Sequence, residues 1–227
     1  MTARRLIAFD VDGTLIDSQD VIVASMTAAF EELGLSPPER TETLSIVGLS
    51  LREAIRTLTP ASSDSELDAL VSGYQQGFVA QRAAGTEALK APLFPGARAA
   101  LDRTFAMDDT ALGVATGKAR RGLDHVFATH DIGDYFVTAQ TADDHPSKPH
   151  PSMLNRALAE SGADAERAAM IGDTEFDVAM GRAAGFWTIA VTWGYHPVDR
   201  LKSAGADRIV ETFEELVALL DGDWRRP

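Results

Sequence analysis

Short, almost entirely apolar runs recur along the chain, and segments with helical periodicity separate most of them. The apolar runs span Leu6–Val11, Ala111–Ala115, Tyr135–Thr138, Ala168–Ile171, Thr188–Thr192 and Arg208–Val210. The helical patterns cover Ala97–Phe105, Ala119–His130, Pro151–Ser161, Glu175–Ala184 and Phe213–Leu220. Strands without a polar face are typical of parallel sheets that helices cover on both sides. The pattern therefore predicts an α/β fold with a doubly wound, Rossmann-like parallel sheet.

The alternation of strands and helices is interrupted between Ile16 and Glu87, where only helical patterns occur. These patterns cover Val21–Leu33, Leu51–Leu58 and Glu66–Ala84, with prolines between them. We predict an all-helical insert over residues 16–87. The α/β core would then consist of residues 1–15 and 88–227.

Two carboxylates, Asp10 and Asp12, lie at the end of the first apolar run, just before Gly13. On a strand they would share one face, about 7 Å apart. Asp12-Gly13 alone could be an ordinary turn. Asp10 fits that interpretation badly, because an unpaired charge inside an apolar run is costly. A metal ion or another strong partner for Asp10 is the better explanation.

A second apolar run, Ala168–Ile171, also ends in a glycine and an aspartate, Asp173, followed by Asp177. Asp173 could be a helix N-cap, with Asp177 in the first helical turn. Neighbouring parallel strands would, however, bring Asp10, Asp12 and Asp173 to one sheet edge. Such an oxygen-rich edge suits Mg²⁺.

Two further short motifs offer phosphate-binding groups. Thr116 and Gly117 follow the run Ala111–Ala115, where a hydroxyl and an amide at a helix start can hold a phosphate oxygen, although a simple Thr cap is an alternative. Lys148 lies between prolines in a loop. A lone lysine in a loop is usually an exposed residue without a specific role. The five histidines lack metal-site spacing, and we expect loop or helix-surface roles for them.

Composition restricts the partners. The 227 residues include 34 acidic and 21 basic ones, a formal charge of −13, which disfavours nonspecific binding to nucleic acid or an anionic membrane. There is no cysteine, which excludes disulfides and thiolate chemistry. We expect a cytoplasmic protein that is a monomer or a homodimer and that acts on a small molecule. An anionic substrate would need a local cation to offset the negative electrostatic potential of the protein.

Taken in order, four motifs resemble those of the haloacid dehalogenase superfamily. They are DVDGT at residues 10–14, TG at 116–117, KP at 148–149, and GD with a further aspartate at 172–177. The resemblance covers essentially the whole chain, and the helical insert is similar to that family's small cap. Among family members the chain looks most like phosphoglycolate phosphatases. The resemblance implies a phosphatase that acts on a small phosphorylated metabolite such as 2-phosphoglycolate.

The resemblance also implies residue roles. Asp10 would be the nucleophile that forms an aspartyl-phosphate, and Asp12 the general acid and base. Asp10, the main-chain carbonyl of Asp12, and Asp173 would hold Mg²⁺.

The remaining motif residues would serve the phosphate and the loop. Thr116, Gly117 and Lys148 would bind phosphate oxygens. Asp177 would orient Lys148 or a metal-bound water, while Gly13 and Thr14 would shape the loop.

Other activities on the same core remain open at this stage. Asp12 and Asp173 disfavour a dehalogenase, and the absence of lysine from residues 16–87 disfavours Schiff-base chemistry by the cap. A sugar phosphomutase of the β-phosphoglucomutase type and a non-catalytic Mg²⁺-binding signalling or interaction domain are the alternatives. The basic residues of the insert are Arg40, Arg52, Arg56 and Arg82, of which Arg52 is the candidate for substrate contact.

Overall fold

Six parallel strands form a single sheet in the computed structural model. The structure describes residues 4–84 and 91–222. The side chains of residues 82–84, among them the predicted cap residue Arg82, lie outside the described part. The spatial order is β3-β2-β1-β4-β5-β6. The strands are β1 (Arg5–Phe9), β2 (Thr110–Thr116), β3 (Phe136–Thr141), β4 (Ala168–Gly172), β5 (Trp187–Val191) and β6 (Arg208–Val210).

Helices connect the strands and build the segment between β1 and β2. Before β2 lie α1 (Gln19–Glu32), α2 (Arg40–Ser45), α3 (Leu51–Leu58), α4 (Asp64–Ala84) and α5 (Ala97–Phe105). After β2 follow α6 (Arg120–His130), α7 (Ser152–Ser161), α8 (Glu175–Ala183), α9 (Val198–Ser203) and α10 (Phe213–Leu220). None of the helices in the described ranges is long and apolar enough to cross a bilayer.

The central strand β1 is buried on both faces, as its unbroken apolar sequence predicts. Ile7 and Phe9 belong to one hydrophobic cluster, which α5, α6 and α10 complete. Leu6 and Ala8 point into a second cluster, completed by α7 and α8. Successive side chains of a strand point to opposite faces, so one strand supports two helical layers. The predicted doubly wound sheet is confirmed.

The strand order changes direction at β1. From β1 the chain first builds outward through β2 and β3, then returns to place β4, β5 and β6 on the other side. Ligand sites in open α/β sheets lie beyond the carboxyl ends of the strands at this switch point. Here it is flanked by the ends of β1 and β4, the strands that precede Asp10 and Asp173.

Helices α1–α4, called the cap below, form a separate apolar cluster. Met26 and Phe30 from α1 pack with Ile55 from α3 and with Leu67 and Leu70 from α4. The all-helical insert is therefore present. Its predicted boundaries at residues 16 and 87 stay a prediction, and residue 87 lies outside the described ranges.

Two short helices, α2 and α9, were absent from the sequence prediction. Both have six residues, too few for a helical period to appear. Helix α2 begins with a capping box in which Glu42 accepts a hydrogen bond from the Glu39 amide, 2.8 Å away. Local end contacts of this kind stabilise helices that show no hydrophobic stripe.

Candidate active site

Asp10 and Asp12 follow strand β1 and do not lie on it, since β1 ends at Phe9 and not at the predicted Val11. The Asp10 amide still donates to the Ile171 carbonyl of β4 at 2.9 Å. The chain then turns, and the Ile16 amide bonds back to Val11. The two aspartates line the same cavity but their side chains have different partners. The prediction of one shared strand face was wrong.

Three buried carboxylates meet at the switch point: Asp10, Asp173 and Asp177. Oxygens from all three lie within 4.8 Å of one another, and each residue is at most 1% exposed. This set differs from the predicted carboxylate group, because the Asp177 side chain replaces that of Asp12. The structure does bring Asp10 and Asp173 together, from segments more than 160 residues apart.

Lys148 is the buried counter-ion of this cluster. Its ammonium lies 2.9 Å from Asp10 Oδ1 and donates to Asp177 Oδ1 at 2.6 Å. The residue is 1% exposed, so Lys148 is a buried part of the site and not an exposed loop lysine. Three carboxylates and one ammonium leave an excess of negative charge when all are ionised.

Gly13 and Thr14 bring the first loop against Asp173. Gly13 has a φ of +84°, and a Cβ there would lie 2.3 Å from an Asp173 carboxylate oxygen, so only glycine fits. The Thr14 hydroxyl donates to Asp173 Oδ1 at 2.9 Å, and the Tyr195 amide donates to Oδ2 at 2.8 Å. These contacts fix the Asp173 carboxylate in orientation.

Thr174, and not Asp173, is the N-cap of α8. Its hydroxyl accepts from the Asp177 amide, and Asp177 Oδ2 accepts from the Thr174 amide at 3.0 Å. This capping box holds one oxygen of Asp177 and leaves the other for Lys148. The N-cap interpretation of Asp173 was wrong, which leaves its buried carboxylate without a capping role.

Asp12 is bound on the other side of the loop. Its Oδ1 accepts from the Ser18 hydroxyl at 2.6 Å and from the Lys118 ammonium at 2.9 Å. Sequence reasoning missed both Lys118 and Ser18 as site residues. The position of Lys118, directly after the end of a strand adjacent to β1, was the available signal for it.

Thr116 and Gly117 lie at the end of β2, on the floor of the same cavity. Thr116 is 1% exposed, and its hydroxyl accepts from the Lys118 amide at 3.2 Å. A Cβ on Gly117 would lie 2.5 Å from the carbonyl oxygens of Gly48 and Leu49 in the cap. The glycine therefore lets the cap backbone approach the site closely.

The cap covers the site and is fastened to the core by several contacts. The Ser50 amide donates to the Ser147 hydroxyl at 2.8 Å. His196, only 3% exposed, lies between the carbonyl of Ser45 and the amide of Glu175. This histidine does lie in a loop, one of the two roles expected, but that expectation missed its buried bridging position.

Arg52 lines the cavity but is held within the cap. Its guanidinium donates to Asp64 at 2.9 Å and forms a short contact with Asp68. Its predicted role in substrate contact stays a prediction. The arrangement shows that its charge is largely matched by these two carboxylates.

The electrostatics of the cluster favour a cation. Burial raises the pKa of Asp10 to about 7, against the opposing effect of Lys148. Burial and the neighbouring carboxylates Asp177 and Asp10 raise the pKa of Asp173 well above its usual range. Asp10 Oδ2 is buried and has no hydrogen-bond partner among the described residues. A hard cation would supply that missing partner and keep both carboxylates ionised, so the residues fit Mg²⁺.

Comparison with known proteins gives a consistent result. The family described as haloacid dehalogenase-like hydrolase matches residues 7–191. The probable phosphatase IndB of Dickeya dadantii is 36% identical, over 93% of this chain and 91% of its own length. The phosphoglycolate phosphatase of Nitrosococcus oceani is 30% identical, over 95% and 96%. The solved structure of the haloacid dehalogenase-like protein SP0104 from Streptococcus pneumoniae superimposes with a TM-score of 0.81 at 26% identity, covering 96% of this chain and 99% of that one.

Proposed function

The chain belongs to the haloacid dehalogenase-like hydrolase family and is a phosphatase, and from that premise we propose that it hydrolyses a phosphomonoester through a covalent phosphate on Asp10. One observation carries the proposal. The Asp10 carboxylate faces the cavity, is buried against Lys148, and keeps one oxygen free of hydrogen bonds from the described residues. The substrate would be a small phosphorylated metabolite, and 2-phosphoglycolate is the example that the sequence resemblance implies.

In the first step an Asp10 oxygen attacks phosphorus. A bond forms between that oxygen and phosphorus while the bond to the ester oxygen breaks, and the departing alkoxide takes a proton from Asp12. Asp12 lies on the cavity wall, where Lys118 and Ser18 hold its carboxylate in place. Thr116, the Gly117 amide and Lys148 would bind the other phosphate oxygens.

In the second step water attacks the same phosphorus. Asp12, now ionised, accepts the proton of the water, the bond between phosphorus and Asp10 breaks, and inorganic phosphate leaves. The Asp10 carboxylate and protonated Asp12 are restored. The cap screens this step from bulk water because its loop at Gly48 and Leu49 lies directly on Gly117.

Asp10, Asp173 and the main-chain carbonyl of Asp12 would hold Mg²⁺. The ion, when bound, offsets the repulsion between the phosphate and the attacking carboxylate. Asp177 keeps Lys148 beside Asp10 through the contact at 2.6 Å. The same contact makes Asp177 a positioning residue for the nucleophile.

Phosphate release from p-nitrophenyl phosphate tests the proposal. We expect turnover with Mg²⁺, its loss in EDTA, and its return when Mg²⁺ is added in excess. Asp10→Asn removes the nucleophile and should lower kcat by at least about 10³-fold. Asp124→Asn, an exposed position on α6, is the matched control and should retain wild-type turnover.

Two results would contradict the proposal. One is turnover that persists in EDTA, because the cation would then be dispensable. The other is substantial phosphate release by Asp10→Asn, because another group would then attack phosphorus.

A further inference from the structure

The cavity above the candidate nucleophile has two chemically different walls. Its volume is about 520 Å³, within the range that holds drug-sized ligands. The core wall carries Asp10, Asp12, Thr116 and Lys118. The cap supplies the opposite wall, and its chemistry determines which part of a substrate can lie there.

The cap wall is mostly apolar. Helix α1 contributes Ile22 and Met26, and the apolar side chains from α3 and α4 include Leu51, Val71, Tyr74 and Phe78. A wall of this composition gains free energy when an apolar group displaces water from it, about 25 cal/mol for each Å² covered. It offers little to a second small anionic group.

Tyr74 and Phe78 form an aromatic pair on one face of α4. Their ring centroids are 6.0 Å apart with an interplanar angle of 27°. Tyr74 also packs against the apolar cluster of the cap, which fixes its ring in place. Both rings line the cavity, so an apolar ring of the substrate could pack against them.

Lys118 connects this aromatic pair to the reaction centre. Its ammonium lies 5.1 Å from the centroid of the Phe78 ring and 2.9 Å from Asp12 Oδ1. The aromatic surface therefore begins one side chain away from the proposed proton donor. A leaving group protonated by Asp12 would extend towards Phe78.

The arginines of the cap whose side chains the structure describes have carboxylate partners within the cap. Arg52 pairs with Asp64 and Asp68, Arg56 with Asp64, and Arg40 with Asp20. A substrate carboxylate near the cap would have to compete with these carboxylates. On the core side the cavity also carries Arg121 and Asp143, whose charges are opposite.

We infer that the alcohol part of the substrate carries an apolar, ring-sized group that packs against Tyr74 and Phe78. This inference rests on the proposed function and narrows its substrate class. It predicts that 2-phosphoglycolate, whose leaving group bears a carboxylate, is a poor substrate. The apolar wall and the size of the cavity carry the inference.

A matched pair of esters tests the inference: 2-phenylethyl phosphate and ethyl phosphate. Both release primary alkoxides of similar basicity, so their comparison isolates the contribution of the ring. For the wild-type protein with Mg²⁺ we expect kcat/KM for 2-phenylethyl phosphate to exceed that for ethyl phosphate by at least about tenfold. 2-Phosphoglycolate should give no more than the ethyl phosphate value.

Variants at Phe78 connect the preference to the aromatic pair. Phe78→Ala should bring the ratio of the two kcat/KM values close to one, and Phe78→Leu, which keeps an apolar side chain, should give an intermediate ratio. The control is Phe105→Ala, the same truncation at a phenylalanine on α5 that is 55% exposed and outside the cavity. That variant should keep the wild-type ratio.

The possible outcomes separate the two proposals. Equal kcat/KM values for the two esters, or a preference for 2-phosphoglycolate, would overturn this inference while the phosphatase proposal stands. An unchanged ratio in Phe78→Ala would also overturn it. If no ester, including p-nitrophenyl phosphate, is hydrolysed, both proposals fail.

Discussion

At the scale of single residues, hydrogen bonds can fix the protonation state of a side chain. His196 is an example: its Nδ1 accepts from the Glu175 amide at 3.2 Å, and its Nε2 lies 3.0 Å from the Ser45 carbonyl. An amide can only donate and a carbonyl can only accept, so the ring carries its proton on Nε2 and is neutral. A second proton would break the contact with Glu175.

This geometry predicts how stability depends on pH. Burial, with a further contribution from Arg200, lowers the pKa of His196 to about 4 in the folded protein, from an ordinary value of 6.5. The contribution of the neutral His196 ring to the free energy of unfolding is complete above pH 6.5. It is lost as pH falls towards 4, because the unfolded chain binds the proton first. His196→Gln should therefore show a smaller loss of unfolding free energy than wild type between pH 7.5 and pH 5, by urea denaturation.

The exposed residue His150 provides the control for that measurement. His150→Gln makes the same substitution at a histidine whose side chain lies at the surface, so it reports how far the substitution itself alters the measurement. If His196→Gln and the wild-type protein show the same pH dependence, the His196 ring is not held neutral by its surroundings.

At the scale of elements, the close approach of the cap to the core requires a glycine at position 117. A methyl group at Gly117 would lie 2.5 Å from two cap carbonyl oxygens, and backbone atoms cannot rotate away as a side chain can. Gly117→Ala would therefore push the loop at Gly48 and Leu49 away from the floor of the site. Closure of the cap over the phosphate would then be incomplete.

We expect Gly117→Ala to lower kcat/KM by about tenfold to a hundredfold in steady-state assays, since displacements near 1 Å at a reacting centre can have effects of that size. Gly133→Ala is the control because its nearest neighbour, the Phe127 side chain, would lie at an ordinary contact distance of 3.4 Å. Wild-type kcat/KM in Gly117→Ala would mean that this contact between cap and core is not required for turnover.

Elements differed in how well the sequence predicted them. Strands β1 and β4 contain apolar runs that lead directly to an aspartate with a glycine nearby, so both their places and the convergence of Asp10 and Asp173 were predictable. The place of Lys118 after β2 indicated that it could reach the site, but its pairing with Asp12 was not predictable because it depends on the register of β1 and β2. The position of His196 likewise depends on where α2 ends, and α2 itself left no periodic signal.

The molecule as a whole carries a large negative charge, and this charge is offset locally at the candidate active site. Its formal charge is −13, yet its proposed substrate is an anion. The order of the sheet brings buried carboxylates from two strand ends to one point, where Lys148 and a cation would reverse the local field. Binding of an anion thus depends on the fold as a whole, since no single segment carries both the ligands and the lysine.

The central claim is that Asp10 forms a bond to phosphorus, and trapping that bond tests it most directly. Asp12→Asn should slow attack by water, so the phosphorylated protein should accumulate when the variant is mixed with p-nitrophenyl phosphate and Mg²⁺. Intact-mass and peptide-mapping mass spectrometry should then find one added phosphoryl group, on Asp10. Phosphate release without any adduct on Asp10, or an adduct on a different residue, would contradict the account.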